Sequence, residues 1–180
     1  MTGAKATATP GPLYGLVAWP SPQLDGWMRG EQERLGVRAY GEPHLNLRAL
    51  FPITGTQDAL VAALRDLLAD VACFEVRLKG WRTFPGVVFL ECERSPELDA
   101  LHEQVLALKM APPQPYDRKD YIPHLTLALG VLPWLQERLV PELETLRPPV
   151  SGFEVSALSL TREGGGEVRE VHTFPLRASR

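Results

Sequence analysis

One five-residue pattern occurs twice in the chain, once in each half. Residues 43–47 read Pro-His-Leu-Asn-Leu, and residues 123–127 read Pro-His-Leu-Thr-Leu. The two histidines, His44 and His124, are 80 positions apart (124 − 44), and a Phe-Glu-Val tripeptide follows them after 30 (74 − 44) and 29 (153 − 124) positions. Coincidental alternation of helices and strands is the alternative explanation, but the repeated pentapeptide favours a duplication. We therefore expect two similar halves related by a pseudo-twofold axis.

The predicted elements follow the same order in both halves: strand, helix, histidine strand, helix, strand. Hydrophobic periodicity and the positions of Pro and Gly indicate where each begins and ends. In the first half the elements lie at 13–19, 22–35, 44–51, 57–70 and 74–78. In the second half they lie at 87–92, 96–108, 124–129, 133–146 and 153–160, and a last strand covers 168–176. The predicted fold class is α/β, of the α+β type.

The predicted architecture is bilobal. Each lobe has a mainly antiparallel sheet and two helices, and the active-site cleft lies between the lobes. A chain of 180 residues, of which 44% are hydrophobic, is large enough for one domain with a packed core. Residues 1–12 are expected to form a disordered arm, and residues 13–180 a single bilobal domain whose lobes share strands.

Charge and composition exclude several classes of function. The net charge is −3, from 19 basic and 22 acidic residues, whereas proteins that grip long duplexes usually carry a basic excess. Two cysteines are too few for a disulfide framework. No apolar run is long enough for a transmembrane helix, and the N-terminus lacks the apolar block of a signal peptide. We expect a cytoplasmic protein with no membrane association, and nothing in the sequence predicts an obligate protein partner.

Strand alternation predicts which motif side chains share a face. His44, Asn46 and Arg48 point to one side of their strand, and His124 and Thr126 point to the corresponding side of theirs. The intervening leucines occupy the opposite faces and are expected to pack under the helices. Because buried polar groups need hydrogen-bond partners, the histidine faces are not ordinary core. We expect both to line one cleft.

Two histidines in one cleft suit the cleavage of a phosphodiester. One imidazole must be neutral to accept a proton, and the other must be protonated to donate one; a pKa of about 6.5 allows both forms near neutral pH. Each proton transfer typically contributes about 10²–10⁴ in rate. The Thr126 hydroxyl and the Asn46 amide are expected to donate hydrogen bonds to the phosphate oxygens, and Arg48 is a third candidate donor.

The duplicated motif resembles that of a known family, the two-histidine phosphoesterases, often called 2′-5′ RNA ligase-like proteins. The mark of this family is a His-X-Thr/Ser-X sequence that occurs twice, on the central strands of a bilobal α/β fold. Residues 123–130, PHLTLALG, match it in full, whereas residues 43–50, PHLNLRAL, have Asn46 where the family has Thr or Ser. The resemblance extends from about Leu13 to Leu176.

The resemblance implies a metal-independent phosphodiesterase that needs no cofactor. Its substrate would be a 2′,3′-cyclic phosphate at an RNA end or on a nucleotide, and some members of the family join 2′-5′ linkages weakly in reverse. Carried over residue by residue, the catalytic set is His44, Asn46, His124 and Thr126. Asn46 is a departure from the family pattern, because an amide donates to phosphate but cannot act through a hydroxyl.

Further substrate-binding candidates lie in the loop before the second motif. Arg118 and Lys119 are candidates for phosphate contacts, and Tyr116 or Tyr121 is a candidate for stacking on a base. A solvated loop of mixed charge is the alternative, and the sequence does not decide between them. The predicted binding set consists of Arg48, Arg118, Lys119 and Tyr121.

The remaining histidines carry no such support. His102 lies in a predicted helix and is expected to be solvated or at the boundary of the core. The pattern of the last strand is compatible with His172 on either face of the sheet. A zinc site needs three or four ligands, often with local spacing, and the sequence contains no such group, so no metal site is predicted.

Three other functions remain open at this point. One is a catalytically weak RNA-end or nucleotide-binding protein on the same fold, which the Asn46 departure favours. Another is an esterase of a different small phosphate. The third is an unrelated α/β structural domain, in which His44 and His124 would lie far apart.

Overall fold

The computed structural model describes residues 11–164 and 167–178. The strands in this part of the chain are β1 Leu13–Ala18, β2 Leu45–Phe51, β3 Phe74–Phe84, β4 Val87–Cys92, β5 His124–Leu129, β6 Gly152–Val155, β7 Ala157–Gly164 and β8 Glu167–Pro175. The helices are α1 Pro22–Leu35, α2 Gln57–Leu68, α3 Pro96–Ala107 and α4 Pro133–Thr145, with a short 3₁₀ helix at Arg118–Asp120. Apart from residues 11 and 12, the predicted disordered arm lies outside the described residues.

Local sequence signals fix the starts of three helices. Ser21, Thr56 and Ser95 precede α1, α2 and α3, and each hydroxyl accepts a hydrogen bond from the backbone N–H three residues on, at 3.4, 3.2 and 3.2 Å respectively. These bonds satisfy N–H groups that a helix leaves without partners at its first turn. Gly36 ends α1 with a φ of 65°, a left-handed conformation that glycine adopts without a Cβ clash.

The eight strands form one sheet in the order β6-β3-β4-β5-β2-β1-β7-β8, and the pairings between them are antiparallel. The α+β class is thereby confirmed. The prediction gave each lobe a sheet of its own, whereas in the structure these strands form one continuous sheet. The strand predicted at 74–78 is also longer and runs to Phe84.

The two halves of the sheet meet at its centre, where Leu45 of β2 pairs with Leu125 of β5. On each side of this pair the order is symmetric: β1 flanks β2, β4 flanks β5, and the next strands outward are β7 and β3. The two halves of the sequence therefore exchange strands: β3, from the first half, lies beside β4, and β7, from the second half, lies beside β1. The Phe-Glu-Val tripeptides do not occupy equivalent positions, because β3 and β6 pair directly, with Val76 opposite Phe153.

The leucines of the repeated motif form the centre of the core. Leu45, Leu47, Leu125 and Leu127 are each at most 1% exposed. Helix α3 packs on β2 and helix α1 packs on β5, so each motif strand is covered by a helix. Burial of a leucine side chain stabilises a fold by about 1.5–3 kcal/mol. The leucine face is therefore buried as the alternation predicted, which leaves the other face of β2 and β5 available for a site.

Gly152 is a position at which the close approach of two strands excludes a side chain. A Cβ there would fall on the carbonyl oxygen of Val76 and lie 3.2 Å from the Cα of Arg77. We expect Gly152→Ala to destabilise the protein by about 1–3 kcal/mol or more, since overpacking of this size forces the backbone to move. Gly26→Ala is the matched control: it lies within α1, nothing stands within 4 Å of its added Cβ, and alanine should stabilise the helix by about 0.5–1 kcal/mol. Chemical denaturation measures both, and equal stabilities for the two variants would contradict the account.

Candidate active site

The one residue pair between β2 and β5 lies in the middle of both copies of the motif. Leu45 pairs with Leu125 at the centre of the sheet. His44 and Asn46 flank Leu45 in the sequence of β2, and His124 and Thr126 flank Leu125 in the sequence of β5. Where antiparallel strands pair, directly opposed side chains have Cβ atoms about 4.5–5.5 Å apart, and diagonal ones about 7–8 Å. The four predicted catalytic residues are therefore the sequence neighbours of this central pair.

Both imidazoles are held by the same backbone contact. Nδ1 of His44 lies 2.6 Å from the carbonyl oxygen of Glu42, and Nδ1 of His124 lies 2.7 Å from that of Ile122. Because a carbonyl oxygen only accepts, Nδ1 must carry the hydrogen in each case. The other ring nitrogen, Nε2, is therefore left to exchange a proton with a ligand.

The prolines of the motif explain why this contact recurs. Pro43 and Pro123 stand between each histidine and the carbonyl that it bonds. A proline restricts the preceding residue to an extended conformation, which sets the direction of the carbonyl group of Glu42 or Ile122. Proline also lacks a backbone N–H, so it is tolerated at the start of a strand.

A cavity of about 950 Å³ opens on the histidine side of the sheet. Three of the four predicted catalytic residues line it: His44, Asn46 and Thr126. His124 does not line the cavity itself; its ring packs against that of Phe89, with 4.7 Å between the centroids. The other lining residues are Val17, Trp19, Tyr40, Gly41, Glu42, Ala49, Leu50, Tyr116, Leu129, Thr161, Glu163, Val168 and Glu170.

Burial favours the neutral form of both histidines. It lowers the pKa of His44 below the ordinary value, and the hydrogen bond to the Glu42 carbonyl opposes this only in part. Burial also lowers the pKa of His124, and the charge of a protonated His44 lowers it further. The two imidazoles therefore lie within electrostatic range of each other.

Trp19 forms the wall of the cavity beside His44. Its ring meets the imidazole edge-on, with 6.1 Å between the centroids. Its Nε1–H donates to the Ser159 hydroxyl at 2.9 Å and to the Glu170 carboxylate at 3.0 Å. Hydrogen bonds from Ser159, Thr173 and Trp19 lower the pKa of Glu170, so this carboxylate is ionised at neutral pH. These two hydrogen bonds from one N–H fix the orientation of the indole ring.

The structure contradicts the prediction that Arg48 shares the face of His44. The pairing of β2 with β1 shifts register on both sides of Arg48, which indicates a bulge in β2. A bulge interrupts the alternation of side chains, so Arg48 is buried and Ala49 lines the cavity instead. The guanidinium donates to Asp117 at 3.2 Å and lies 4.5 Å from the ring centre of Phe51. Arg48 is therefore tied to the loop on the other side of the strand.

Of the loop candidates, Tyr116 lines the cavity, whereas Arg118, Lys119 and Tyr121 do not. Arg118 and Lys119 are exposed, and the guanidinium of Arg118 lies 3.9 Å from the Glu103 carboxylate. Tyr121 is only 6% exposed, and its hydroxyl donates to the Asn46 carbonyl at 3.1 Å. Burial raises the pKa of Tyr121, as expected for a phenol enclosed by the core. Stacking of a base on Tyr121 would need this packing to open.

His102 is buried rather than solvated, which corrects its predicted position. It is 1% exposed, and its ring stacks on that of Tyr121 with 4.1 Å between the centroids. Nε2 accepts from the backbone N–H of Arg118 at 2.9 Å, so Nδ1 carries the hydrogen and donates to the Leu47 carbonyl at 2.8 Å. His102 therefore joins the loop to β2. His172 is half-buried beside Phe174 and does not line the cavity.

Several cavity residues escaped the sequence analysis, among them Tyr40 and Glu163. A signal for part of this set exists in β7, where the polar residues Ser159, Thr161 and Glu163 stand two positions apart and so share one face. Two of these three line the cavity, and Ser159 bonds the indole of Trp19. No short-range pattern connects Tyr40 to them, because it lies more than 100 residues away in the sequence.

In residues 11–164 and 167–178, no group of three or more His, Cys, Asp or Glu side chains is arranged to hold a metal ion. No helix in the same part of the chain has the length and apolar character needed to span a membrane.

Similarity to solved structures covers nearly the whole chain. E. coli LigT complexed with 3′-AMP has 15% sequence identity and a TM-score of 0.63, over 92% of this chain and 98% of that one. A structure described as a phosphoesterase has 15% identity and a TM-score of 0.65, over 93% and 99%. A conserved protein of unknown function from Agrobacterium tumefaciens has 16% identity and a TM-score of 0.58, over 92% and 84%. At these identities the likeness shows a shared fold.

The family comparison agrees with the duplicated motif. The model of the 2′-5′ RNA ligase superfamily matches residues 21–167, which include both histidine motifs. No curated protein matches the sequence. The match spans most of the chain and the fold agrees with it, so this protein belongs to the 2′-5′ RNA ligase superfamily.

Proposed function

We propose that this protein is a metal-independent phosphodiesterase that opens 2′,3′-cyclic phosphates, at an RNA end or on a nucleotide, by acid–base catalysis with His44 and His124. The observation that carries the proposal is the matched pair of imidazoles. Each one donates its Nδ1–H to a backbone carbonyl, and each stands next to a leucine of the central Leu45–Leu125 pair. Such a pair is suited to hold one phosphate between two Nε2 atoms.

The proposed reaction is attack of water on the phosphorus atom. A neutral imidazole takes the proton from water as the new oxygen–phosphorus bond forms. The bond between phosphorus and one ribose oxygen breaks, and the second imidazole, which is protonated, gives its proton to that oxygen. The product is a phosphate monoester with a free neighbouring hydroxyl. Because the two histidines titrate as a pair, the proposal does not assign acid and base to individual residues.

Asn46 and Thr126 are proposed to stabilise the charge that develops on the phosphate. Both line the cavity, and each lies two residues after a motif histidine on its strand. An amide N–H and a hydroxyl donate to non-bridging oxygens without the cost of burying a second charge. Phosphate and 3′-AMP, the compounds in two of the LigT structures, belong to the same chemical class as the proposed substrate and product.

The second candidate function is binding of an RNA end or nucleotide with little turnover. The observation that favours it is Asn46, which replaces the hydroxyl residue of the first motif. Reverse joining of 2′-5′ linkages is a further activity of the same site if the reaction is reversible. Measurable hydrolysis of any 2′,3′-cyclic phosphate by the purified protein, in the presence of excess chelator, separates the enzyme from the binding protein.

Both imidazoles should titrate below pH 6.5 in the free protein, because burial lowers the pKa of each. A histidine whose folded-state pKa is lowered favours the folded state fully above about pH 6.5, and this contribution is lost as the pH falls toward the folded-state pKa. NMR titration of the ring signals measures the pKa values. In His44→Gln the pKa of His124 should rise, since the charge of His44 no longer opposes its protonation. An unchanged pKa of His124 in that variant would show that the two rings do not interact and would contradict a shared site.

Replacement of either catalytic histidine should abolish most of the activity. We expect His44→Ala and His124→Ala each to lower kcat/KM for a 2′,3′-cyclic nucleotide by about 10²-fold or more, because each removes one proton transfer. Thr126→Ala should cost less, since it removes one phosphate contact and leaves both proton transfers intact. The wild-type pH profile should be bell-shaped, and chelation should not alter the rate.

The matched control is His172→Ala, a half-buried histidine that does not line the cavity. It should retain the wild-type rate. Thermal denaturation of each variant distinguishes a lost catalytic group from a lost fold. Full activity in either His44→Ala or His124→Ala, or complete loss of activity on chelation, would refute the proposed mechanism.

Asn46→Thr should keep or raise the activity, because it restores the hydroxyl donor at the first motif. The measurement is kcat/KM of Asn46→Thr and Asn46→Ala beside wild type, with the same cyclic nucleotide. Asn46→Ala removes the donor altogether and should lower the rate by about 10-fold or more. Equal rates for all three proteins would show that this position makes no contact with the phosphate in the transition state.

A further inference from the structure

The part of the cavity beyond His44 is lined by carboxylates, aromatic rings and apolar side chains. Its three carboxylates belong to Glu42, Glu163 and Glu170, and no lysine or arginine is among the described residues that line it. Apolar walls with a few polar groups are typical of small-molecule sites. This composition does not suit a second phosphate, which carboxylates would repel. It suits an uncharged ring that carries N–H donors.

Two of the three carboxylates already have partners. Glu42 lies 3.2 Å from the guanidinium of Arg29. Glu170 accepts hydrogen bonds from the indole of Trp19 at 3.0 Å and from the Thr173 hydroxyl at 2.8 Å. Glu170 therefore holds Trp19 in the wall of the cavity. Glu42 is exposed to solvent.

Glu163 and Tyr40 are different. Glu163 Oε2 and the Tyr40 hydroxyl are both buried, and neither completes a hydrogen bond of normal geometry with another described residue. The two groups are neighbours and interact with each other, since a hydrogen bond to the Glu163 carboxylate, followed by burial, raises the pKa of Tyr40 to about 12. Native proteins rarely leave buried polar atoms without partners, and a bound ligand is one way to satisfy them. One acceptor and one donor thus stand side by side in the cavity wall.

We infer that Glu163 and Tyr40 recognise the base of the substrate and select guanine. The inference rests on the proposed function, since it places the base of a guanosine 2′,3′-cyclic phosphate in the cavity whose phosphate end is His44. The Watson–Crick edge of guanine presents an acceptor, O6, beside two donors, N1–H and the 2-amino group. When guanine binds, the Tyr40 hydroxyl turns from Glu163 and donates to O6, and the two oxygens of Glu163 accept from N1–H and the amino group.

The other bases match this pair less well. Uracil has a single N–H between two carbonyl oxygens, so one of its carbonyls would face a carboxylate oxygen. Adenine and cytosine each offer one amino group beside a ring nitrogen that accepts, which leaves one Glu163 oxygen without a donor. A site built around buried hydrogen-bonding groups discriminates strongly against analogues that leave those groups unpaired. The apolar walls, including Leu50, Leu129 and Val168, contact the faces of the ring in every case.

The position of Glu163 in the fold supports this role. Ser159, Thr161 and Glu163 share one face of β7, and Ser159 holds the indole that packs against His44. Glu163 therefore lies four residues farther along the same strand face, away from the phosphate end. A nucleoside placed with its phosphate at His44 extends along this face toward Glu163.

The experiment compares kcat/KM for guanosine, adenosine and uridine 2′,3′-cyclic phosphates. Wild type should prefer guanosine over uridine by about 10-fold or more. Glu163→Gln should lower kcat/KM for guanosine by about 10-fold and leave uridine within about threefold, since the amide turns a donor toward the donors of guanine. Tyr40→Phe should lower the guanosine value by a smaller factor. Glu137→Gln, an exposed glutamate on α4, is the matched control and should leave all three rates unchanged. The preference should also appear in short RNAs that end in each cyclic nucleotide, if the substrate is an RNA end.

The outcomes separate this inference from the proposed function. Hydrolysis of all bases at equal rates, or equal losses for guanosine and uridine in Glu163→Gln, would overturn the inference and leave the phosphodiesterase intact. If no cyclic phosphate is hydrolysed, the proposed function fails, and equilibrium binding of guanosine and uridine 2′-phosphates decides the inference. The inference is supported if wild type binds the guanosine compound more tightly and Glu163→Gln loses this preference. Equal affinities of wild type for the two compounds would overturn it.

Discussion

The backbone pairing of β2 with β5 at Leu45 and Leu125 is the contact on which the site depends. Elsewhere in the sheet, adjacent strands pair over four or more residue pairs, whereas these two central strands pair at one. The side chains of this pair are fully buried. A shift of one residue would turn the leucines toward solvent and the histidines into the core, so burial enforces the register. The same pair brings the two copies of the histidine motif side by side at the centre of the sheet.

Side chains replace strand pairing where the two central strands separate. The Asn46 carbonyl accepts from the Tyr121 hydroxyl, and the Leu47 carbonyl accepts from the His102 ring. Buried carbonyls need such partners, and here they come from the loop and from α3. The Arg48–Asp117 ion pair adds a third link on this side, with both side chains almost fully buried. The loop before the second motif therefore supports β2 from behind, and removal of one partner would leave a buried polar or charged group without compensation.

These contacts explain which parts of the site were predictable. Strand alternation and the duplicated motif indicated the shared face of His44, Asn46, His124 and Thr126, because both are short-range patterns. Arg48 broke the pattern at a bulge, a feature of the pairing with β1 that the sequence of β2 does not reveal. The fold class and most element boundaries followed from periodicity and capping residues.

The roles of other residues depended on distant contacts. The composition of the loop before the second motif predicted phosphate contacts, but Arg118 and Lys119 are exposed to solvent. Tyr121 is enclosed, and His102 stacks on its ring. Glu163 and Tyr40 meet only when β7 reaches the first motif across β1. Single-sequence patterns carry no information on such pairs, which are separated by more than 100 residues.

The electrostatics of the cavity suggest how catalysis would begin. With the pKa of each imidazole lowered and no basic side chain among the described cavity residues, the free site holds little positive charge at neutral pH. A phosphate anion between the rings would raise the pKa of both, since an opposite charge at short range favours the protonated form. One ring would then take up a proton, while its charge would keep the other neutral. In this account the substrate itself creates the acid and base pair.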